Sequence, residues 1–151
     1  SMSVINGRID ENRSRPITVG NEVPYAPKRS ANLGVDLNVP IKNKINFTTR
    51  VDWIHVGETW FHTIQEGDLV PNLFTPVFGV PSDFSFTKRD SFSIVNVRGG
   101  FEGPNWTVTA FANNLLDKDY LEEVIPAPEF GGSFLHPGAQ RLVGVEVSIQ
   151  F

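Results

Sequence analysis

The chain has 151 residues, the size of one ordinary domain, and 13 Lys and Arg against 17 Asp and Glu give a net charge of −4, with no basic excess for nucleic acid. Cysteine is absent, which excludes disulfides and thiolate metal sites, while 12 Phe, 13 Gly and 11 Pro favour strands and turns over helices. No apolar run approaches the roughly 20 residues of a membrane helix, and no secretory signal peptide opens the chain.

The first two residues, Ser1 and Met2, resemble a scar of tag removal and are set aside from the fold; the natural N-terminus is expected upstream. A weak first strand is read in "SVINGRI". Period-two alternation then marks "ANLGVDLNVP", with Leu33, Val35, Leu37 and Val39 on one face and Asn32, Gly34, Asp36 and Asn38 on the other. "INFTTRVDW" sets Ile45, Phe47, Val51 and Trp53 against Asn46, Thr48, Arg50 and Asp52. "VNVRGGF" sets Val95, Val97 and Phe101 against Asn96 and Arg98. "WTVTAFANNL" sets Trp106, Val108, Ala110 and Ala112 against Thr107 and Thr109, until Phe111 breaks the pattern and leaves the facing of residues 111–120 open. The chain closes on "QRLVGVEVSIQF", where Val143, Val145, Val147, Ile149 and Phe151 are apolar at every second position. No helix is expected.

The links between these strands alternate in length. "PIKNK" and "EGPN" are tight-turn material, whereas residues 11–29, 64–90 and 122–139 are long. In an up-and-down sheet alternate links lie at opposite ends, so every long loop falls on one side. A compact soluble domain rarely carries several such loops, and an outer-membrane barrel does so routinely. The fold predicted is all-β: an antiparallel up-and-down meander of about six strands, part of a larger transmembrane β-barrel. Phe101, Trp106 and Phe151 near the tight turns, and Trp60, Phe61, Phe92 and Tyr120 near the opposite strand ends, read as two interfacial aromatic girdles. Alternation alone favours a soluble β-sandwich binding module, for a carbohydrate for example, and the asymmetry of the loops reverses that preference; a small porin-like barrel is a second alternative, and the sandwich should express soluble and monomeric.

The segment "WTVTAFANNLLDKDYLEE" resembles the late-strand pattern of TonB-dependent outer-membrane receptors, an aromatic followed by Asn-Leu-x-Asp-x-x-Tyr, here Asn114, Leu115, Asp117 and Tyr120. "GGSFLHPGAQRLVGVEVSIQF" is similar to the family's glycine-rich last loop and terminal strand, with Pro137, Gly138 and, two residues later than usual, Arg141. "VGNEVPYAPKRSANLGV" resembles its Gly-x-x-x-Pro-x-x-Pro link into a late strand. The resemblance implies that residues 3–151 are the C-terminal segment of an outer-membrane β-barrel, about the last quarter of some 22 strands, with the plug and upstream strands absent. It implies a location in the outer membrane of a Gram-negative bacterium and a part in energised uptake of a scarce ligand such as a ferric siderophore. The implied partners are membrane lipid and lipopolysaccharide, and the barrel-assembly machinery through the strand Val143, Val145, Val147, Ile149 and Phe151. The energy-transducing TonB partner would be reached only through the missing N-terminal part. The small-molecule ligand would meet loops 11–29, 64–90 and 122–139, with no individual residue assigned. The isolated chain, with unpaired sheet edges, is expected to self-associate.

No chemistry competes with this reading. His55, His62 and His136 lack zinc-site spacing, and the run Asp117, Asp119, Glu122 and Glu123 reads as a solvated strand end rather than a cation site, so no metal or cofactor is expected. No carboxylate pair, nucleophile elbow or phosphate loop marks an enzyme. Arg98–Gly100 reads as close packing or curvature within a strand rather than RNA binding. "DLVPNLFTPVFGVPSDFSF" is apolar for a wet loop and is expected to pack on the barrel mouth rather than contact an apolar ligand.

Overall fold

The computed structural model describes residues 1–42, 44–127 and 132–151. In chain order the elements are β1 (Met2–Val4), β2 (Arg29–Pro40), β3 (Asn46–Val56), β4 (Thr59–Trp60), a single helical turn α1 (Thr75–Phe78), β5 (Lys88–Arg89), β6 (Phe92–Glu102), β7 (Trp106–Asn113), β8 (Leu121–Ala127), β9 (Gly132–Pro137) and β10 (Leu142–Ile149). Six of them form one open antiparallel sheet in the order β1-β2-β3-β6-β7-β10, so the chain is a meander with neighbours in sequence order. Two small hairpins, β4 with β5 and β8 with β9, sit within the long links.

Register shows why alternation was a sound guide. One cross-sheet row reads Val35, Val51, Val97, Ala112, Val143, and another Val39, Phe47, Phe101, Val108, Val147. The intervening row reads Asp36, Arg50, Arg98, Phe111, Gly144. Apolar rows therefore share one face and polar rows the other, as the pleat requires. On the apolar face Val35, Val143 and Val145 are 59%, 68% and 68% exposed, so nothing among the described residues covers it. A sandwich would bury that face against a second sheet; among the described residues no such sheet exists.

Phe111 keeps its place in the alternation after all. It lies on the polar face opposite Gly144, and a Cβ on Gly144 would stand 2.6 Å from the Phe111 ring. The ring covers the glycine of the neighbouring strand, a pairing invisible within either strand alone. Gly100 makes a close approach of a different kind, because a Cβ there would stand 2.0 Å from the Val108 carbonyl oxygen. That bears out close packing at Arg98–Gly100.

Both tight turns lie at one end of the sheet. In the β6–β7 turn, Gly103 N donates to Trp106 O at 2.8 Å, and Gln150 N to Asn105 O at 2.9 Å. In the β2–β3 turn, Ile41 N donates to Ile45 O at 2.8 Å. All three long links emerge at the other end, where β2 and β10 begin and β3 and β7 finish.

Three expectations need correction. The first strand is only Met2–Val4, and Met2, set aside as a scar, pairs with Ala31. Residues 5–9 leave the sheet and fold back on their own loop, with Ile9 N donating to Asn21 O and Val23 N to Gly7 O; Gly7 lets Val23 approach closely. The second correction concerns 122–139, which is a hairpin rather than a plain loop, with its tip at 128–131 outside the described residues. The third concerns the upper aromatic girdle, which does not exist as a lipid-facing band. Trp60, Phe61 and Phe92 are 5%, 4% and 9% exposed, and Tyr120 stacks on Phe92 at 4.2 Å. Phe92 has the same parity as Asn96 and Arg98, so it points to the polar side. The lower aromatics behave as read: Phe101 and Phe151 are exposed, and Phe101 tilts against Phe47 at 5.4 Å.

Candidate functional site

Two surfaces on the polar side can meet a ligand: a trough along the sheet and a folded cap above it. The trough is an open hollow of about 870 Å³ lined by the polar rows. Its centre is an ion-pair ladder. Arg50 grips Asp52, two residues along its own strand, with Nη2 at 2.7 Å and Nε at 2.8 Å, and reaches Asp36 across the sheet with Nη1 at 2.9 Å. Gly34 makes this possible, since a Cβ there would stand 2.8 Å from Asp52 Oδ1. Arg98 sits directly across from Arg50. Among the described residues its guanidinium has no ion-pair or hydrogen-bond partner, so it offers an exposed cation to whatever enters the trough.

The cap is made by the long links, and it holds the hydrophobic core. Trp60, Phe61, Ile64, Phe84, Val124 and Ala127 are buried there, with Phe92 at their base. Link 5–28 is tied to link 57–91 by polar bonds. Asn21 Nδ2 donates to Thr63 O at 3.0 Å and to Asp68 Oδ2 at 2.6 Å, and the Gln65 amide both accepts from Glu22 N at 3.0 Å and donates to Glu22 O at 2.7 Å. Lys28 bridges Glu22 at 2.9 Å and Glu58 at 2.6 Å, and Lys88 reaches Glu58 at 3.2 Å. Those hydrogen bonds, Glu22 first and then Glu58, hold the Lys28 ammonium above its ordinary pKa. The third link joins through Tyr25, whose hydroxyl donates to Glu123 at 3.0 Å while its ring tilts against Phe61 at 5.5 Å.

Arg89 is the residue that sequence reading missed. Its guanidinium carbon lies 5.4 Å from the Phe61 ring centre and 4.9 Å from that of Phe92, and Nη1 donates to Leu121 O at 3.2 Å. Among the described residues its Nε is buried without a partner, and burial pulls its pKa down from the ordinary value. Cation–π contact on two rings offsets part of that cost. Only the run of aromatics around a lone arginine could have flagged it.

The motif residues come together at the joint between wall and cap. Asn114, 3% exposed and at φ 48°, donates through Nδ2 to Lys118 O and Ala139 O at 3.0 Å each and accepts from Lys118 N at 2.9 Å. Leu115 N donates to Val95 O at 2.8 Å. Asp117 accepts from Arg141 N at 3.1 Å and pairs with its guanidinium at 3.3 Å. The Tyr120 ring covers Gly138, whose Cβ would stand 2.1 Å from it.

A family model described as "TonB dependent receptor-like, beta-barrel" matches residues 5–115, most of the chain. The chain belongs to the TonB-dependent receptor β-barrel family. Its sheet is accordingly a piece of outer-membrane barrel wall from a Gram-negative bacterium, with the apolar rows as its lipid side. The match ends at Leu115, so the joint motif and β10 rest on structure.

Two solved receptors share the architecture. The chain superposes on the ferric yersiniabactin uptake receptor FyuA of Yersinia pestis with a TM-score of 0.68 at 16% identity, covering 89% of this chain and 18% of the receptor. On BauA, the ferric preacinetobactin receptor of Acinetobacter baumannii, the TM-score is 0.66 at 16% identity, covering 99% of this chain and 19% of the receptor. The chain thus spans about a fifth of either receptor, and at this identity the likeness carries the fold alone.

Within the TonB-dependent wall, Val143, Val145, Val147 and Ile149 of β10 stand 57–68% exposed on the lipid side, Phe151 follows them, and Glu146 lines the trough. His55 bonds Ser93 at 2.9 Å, His62 lies in the cap and His136 is exposed on β9, so the three are dispersed. The apolar segment 68–86 divides: Phe84 packs as expected, whereas Leu73, Val77, Phe78 and Val80 stay 65–74% exposed around α1.

Proposed function

We propose that this chain forms the C-terminal wall and three outward loops of a receptor for energised uptake of a scarce ligand, with a ferric siderophore as the ligand class. The observation that carries the reading is the pairing of a bare apolar face with a folded cap at a single end of the sheet. A wall piece of this kind needs lipid on one side and presents its loops to the medium. The two receptors compared above are an uptake receptor for ferric yersiniabactin and a receptor for ferric preacinetobactin, which supports a ferric chelate as the ligand class. Candidate ligand surfaces are the cap links 11–29, 64–90 and 122–139, with the exposed apolar side chains around α1, and the trough beneath them, where Arg98 is exposed.

The remaining partners follow from the same placement. Lipid meets the apolar rows and lipopolysaccharide the loop end. The barrel-assembly machinery takes the open edge and terminal aromatic of β10. The energy-transducing partner acts on the part of the receptor beyond this chain. Without lipid, the β10 edge and the apolar rows drive self-association, which light scattering coupled to size exclusion would register as species above 16.8 kDa.

The test is iron uptake. The full-length receptor carrying this chain is expressed in a strain without its own siderophore receptors and offered radiolabelled ferric chelates, with and without the energy-transducing partner. Uptake of at least one chelate, lost without the partner, is expected. No uptake, or uptake indifferent to the partner, would overturn the reading.

A further inference from the structure

We propose that His62 is an acid-sensitive latch that couples link 5–28 to link 57–91 in the cap. The inference needs no assumption about the transported ligand. The Ile64 N–H points at His62 Nδ1 at 3.1 Å, so Nδ1 must carry a lone pair and the ring must be neutral, with its proton on Nε2. The imidazole stacks on Phe84 at 4.8 Å and 19°, against a side chain that is 3% exposed. This short bend places Thr63 O, which accepts from Asn21, and Gln65, which binds Glu22; Asp68 accepts from Asn21 as well. Gln65 Nε2 also reaches His62 O at 3.4 Å.

A second proton would go onto Nδ1. The ring would then turn an N–H toward an N–H and lose the Ile64 bond, a loss that cation–π contact with the Phe84 face offsets only in part. The charged groups around it give no compensation. Arg15, from link 5–28, adds repulsion. Asp68 is occupied by Asn21 and by Gln65 N, Asp83 by Ser85, and Glu22 by Lys28. Arg89 lies on the far side over Phe61.

Burial first, then Arg15, pushes the imidazole below its ordinary value of 6.5. The sign follows from linkage. The open bend takes up the proton near pH 6.5 and the closed bend only at lower pH, so the latch holds fully above about 6.5 and weakens as pH falls below it. Between the two values the opening equilibrium shifts by up to about tenfold per pH unit.

Hydrogen exchange of the chain in detergent micelles at pH 7.5 and 5.5, corrected for intrinsic rates, tests the latch. Protection in residues 17–25 and 60–68 should fall severalfold at pH 5.5, while β3 and β6 stay unchanged. In His62→Asn the fall should vanish, because an Asn Oδ1 accepts the same N–H two residues on, as in an Asx turn, and does not titrate. An equal fall in His62→Asn, or none in the unaltered chain, would overturn the proposal. Should His62→Asn lack protection already at pH 7.5, a histidine NMR titration of the unaltered chain decides: a His62 midpoint below 6.5 upholds the latch, and a midpoint at or above 6.5 overturns it.

Discussion

The wall and the cap are built on opposite rules. In the wall, apolar side chains are the exposed ones: Leu33 is 62% and Val145 68% open, and its charges line a trough. In the cap, Phe61, Ile64 and Phe84 are at most 4% exposed, as in any water-soluble core. The wall leaves its apolar surface for lipid, where helices and closed barrels alone can satisfy the backbone. The cap stands in water, where long links without their own core would remain disordered. One chain therefore holds two solvents' worth of folding logic, divided at the strand ends.

The sharpest break between them comes from Phe84→Ala. It should cost the cap about 3–5 kcal/mol through lost contacts and a cavity beside His62 and Phe86. Hydrogen exchange would show links 5–28 and 57–91 opening while β3 and β6 stay protected. Equal loss in the strands would mean that wall and cap unfold as one unit. Next in size is Val147→Arg, which should hinder insertion into vesicles by on the order of 2–4 kcal/mol near the midplane, whereas Glu146→Arg on the trough side should be far milder. Equal effects would count against the lipid-facing assignment of Val147.

The joint is tested by Asn114→Ala. Losing its buried amide bonds at a positive φ should cost about 1–3 kcal/mol, read as faster exchange at the Leu115 and Lys118 amides. The smallest effect belongs to Glu58→Gln, about 0.2–1 kcal/mol and reduced further by salt, because the ion pairs with Lys28 and Lys88 are partly open to solvent. Hydrogen bonds from Lys28, then Lys88, hold the Glu58 carboxyl below its ordinary pKa of 4.5. Its contribution is thus complete above about pH 4.5 and disappears as pH falls through the lowered value, a trend that cap exchange at pH 3–5 would follow.

Most of the wall was legible because a two-residue period and a buried-or-lipid face leave little choice of register. Asp36, Arg50, Asp52, Arg98 and Glu146 could be assigned to the trough from alternation alone. Link lengths placed every loop at one end. The cap was not legible. Trp60, Phe61, Ile64 and Phe84 follow no period, since they meet through loop bonds that depend on Asn21, Glu22 and Tyr25 far away in sequence. The β8–β9 hairpin was hidden by Pro126, Pro137 and a register shift between Leu121 and Glu123. Phe92 was misplaced although its parity with Asn96 and Arg98 was on view, because an aromatic near a strand end resembles an interfacial anchor. Nothing in the residues around His62 announces its surroundings, and only the neighbouring aromatics hint at those of Arg89.

The exposed apolar rows also set how freely the sequence can drift. Lipid is a fluid without fixed shape, so Val145 exchanged for Ile or Leu meets no cavity to overfill and leaves none behind. Phe84 and Ile64 sit among fixed neighbours, where even one methylene is felt. Substitution tolerance in this chain is therefore inverted relative to a soluble β protein: the strands' outward positions accept any hydrocarbon side chain, and the loops hold the positions where identity matters.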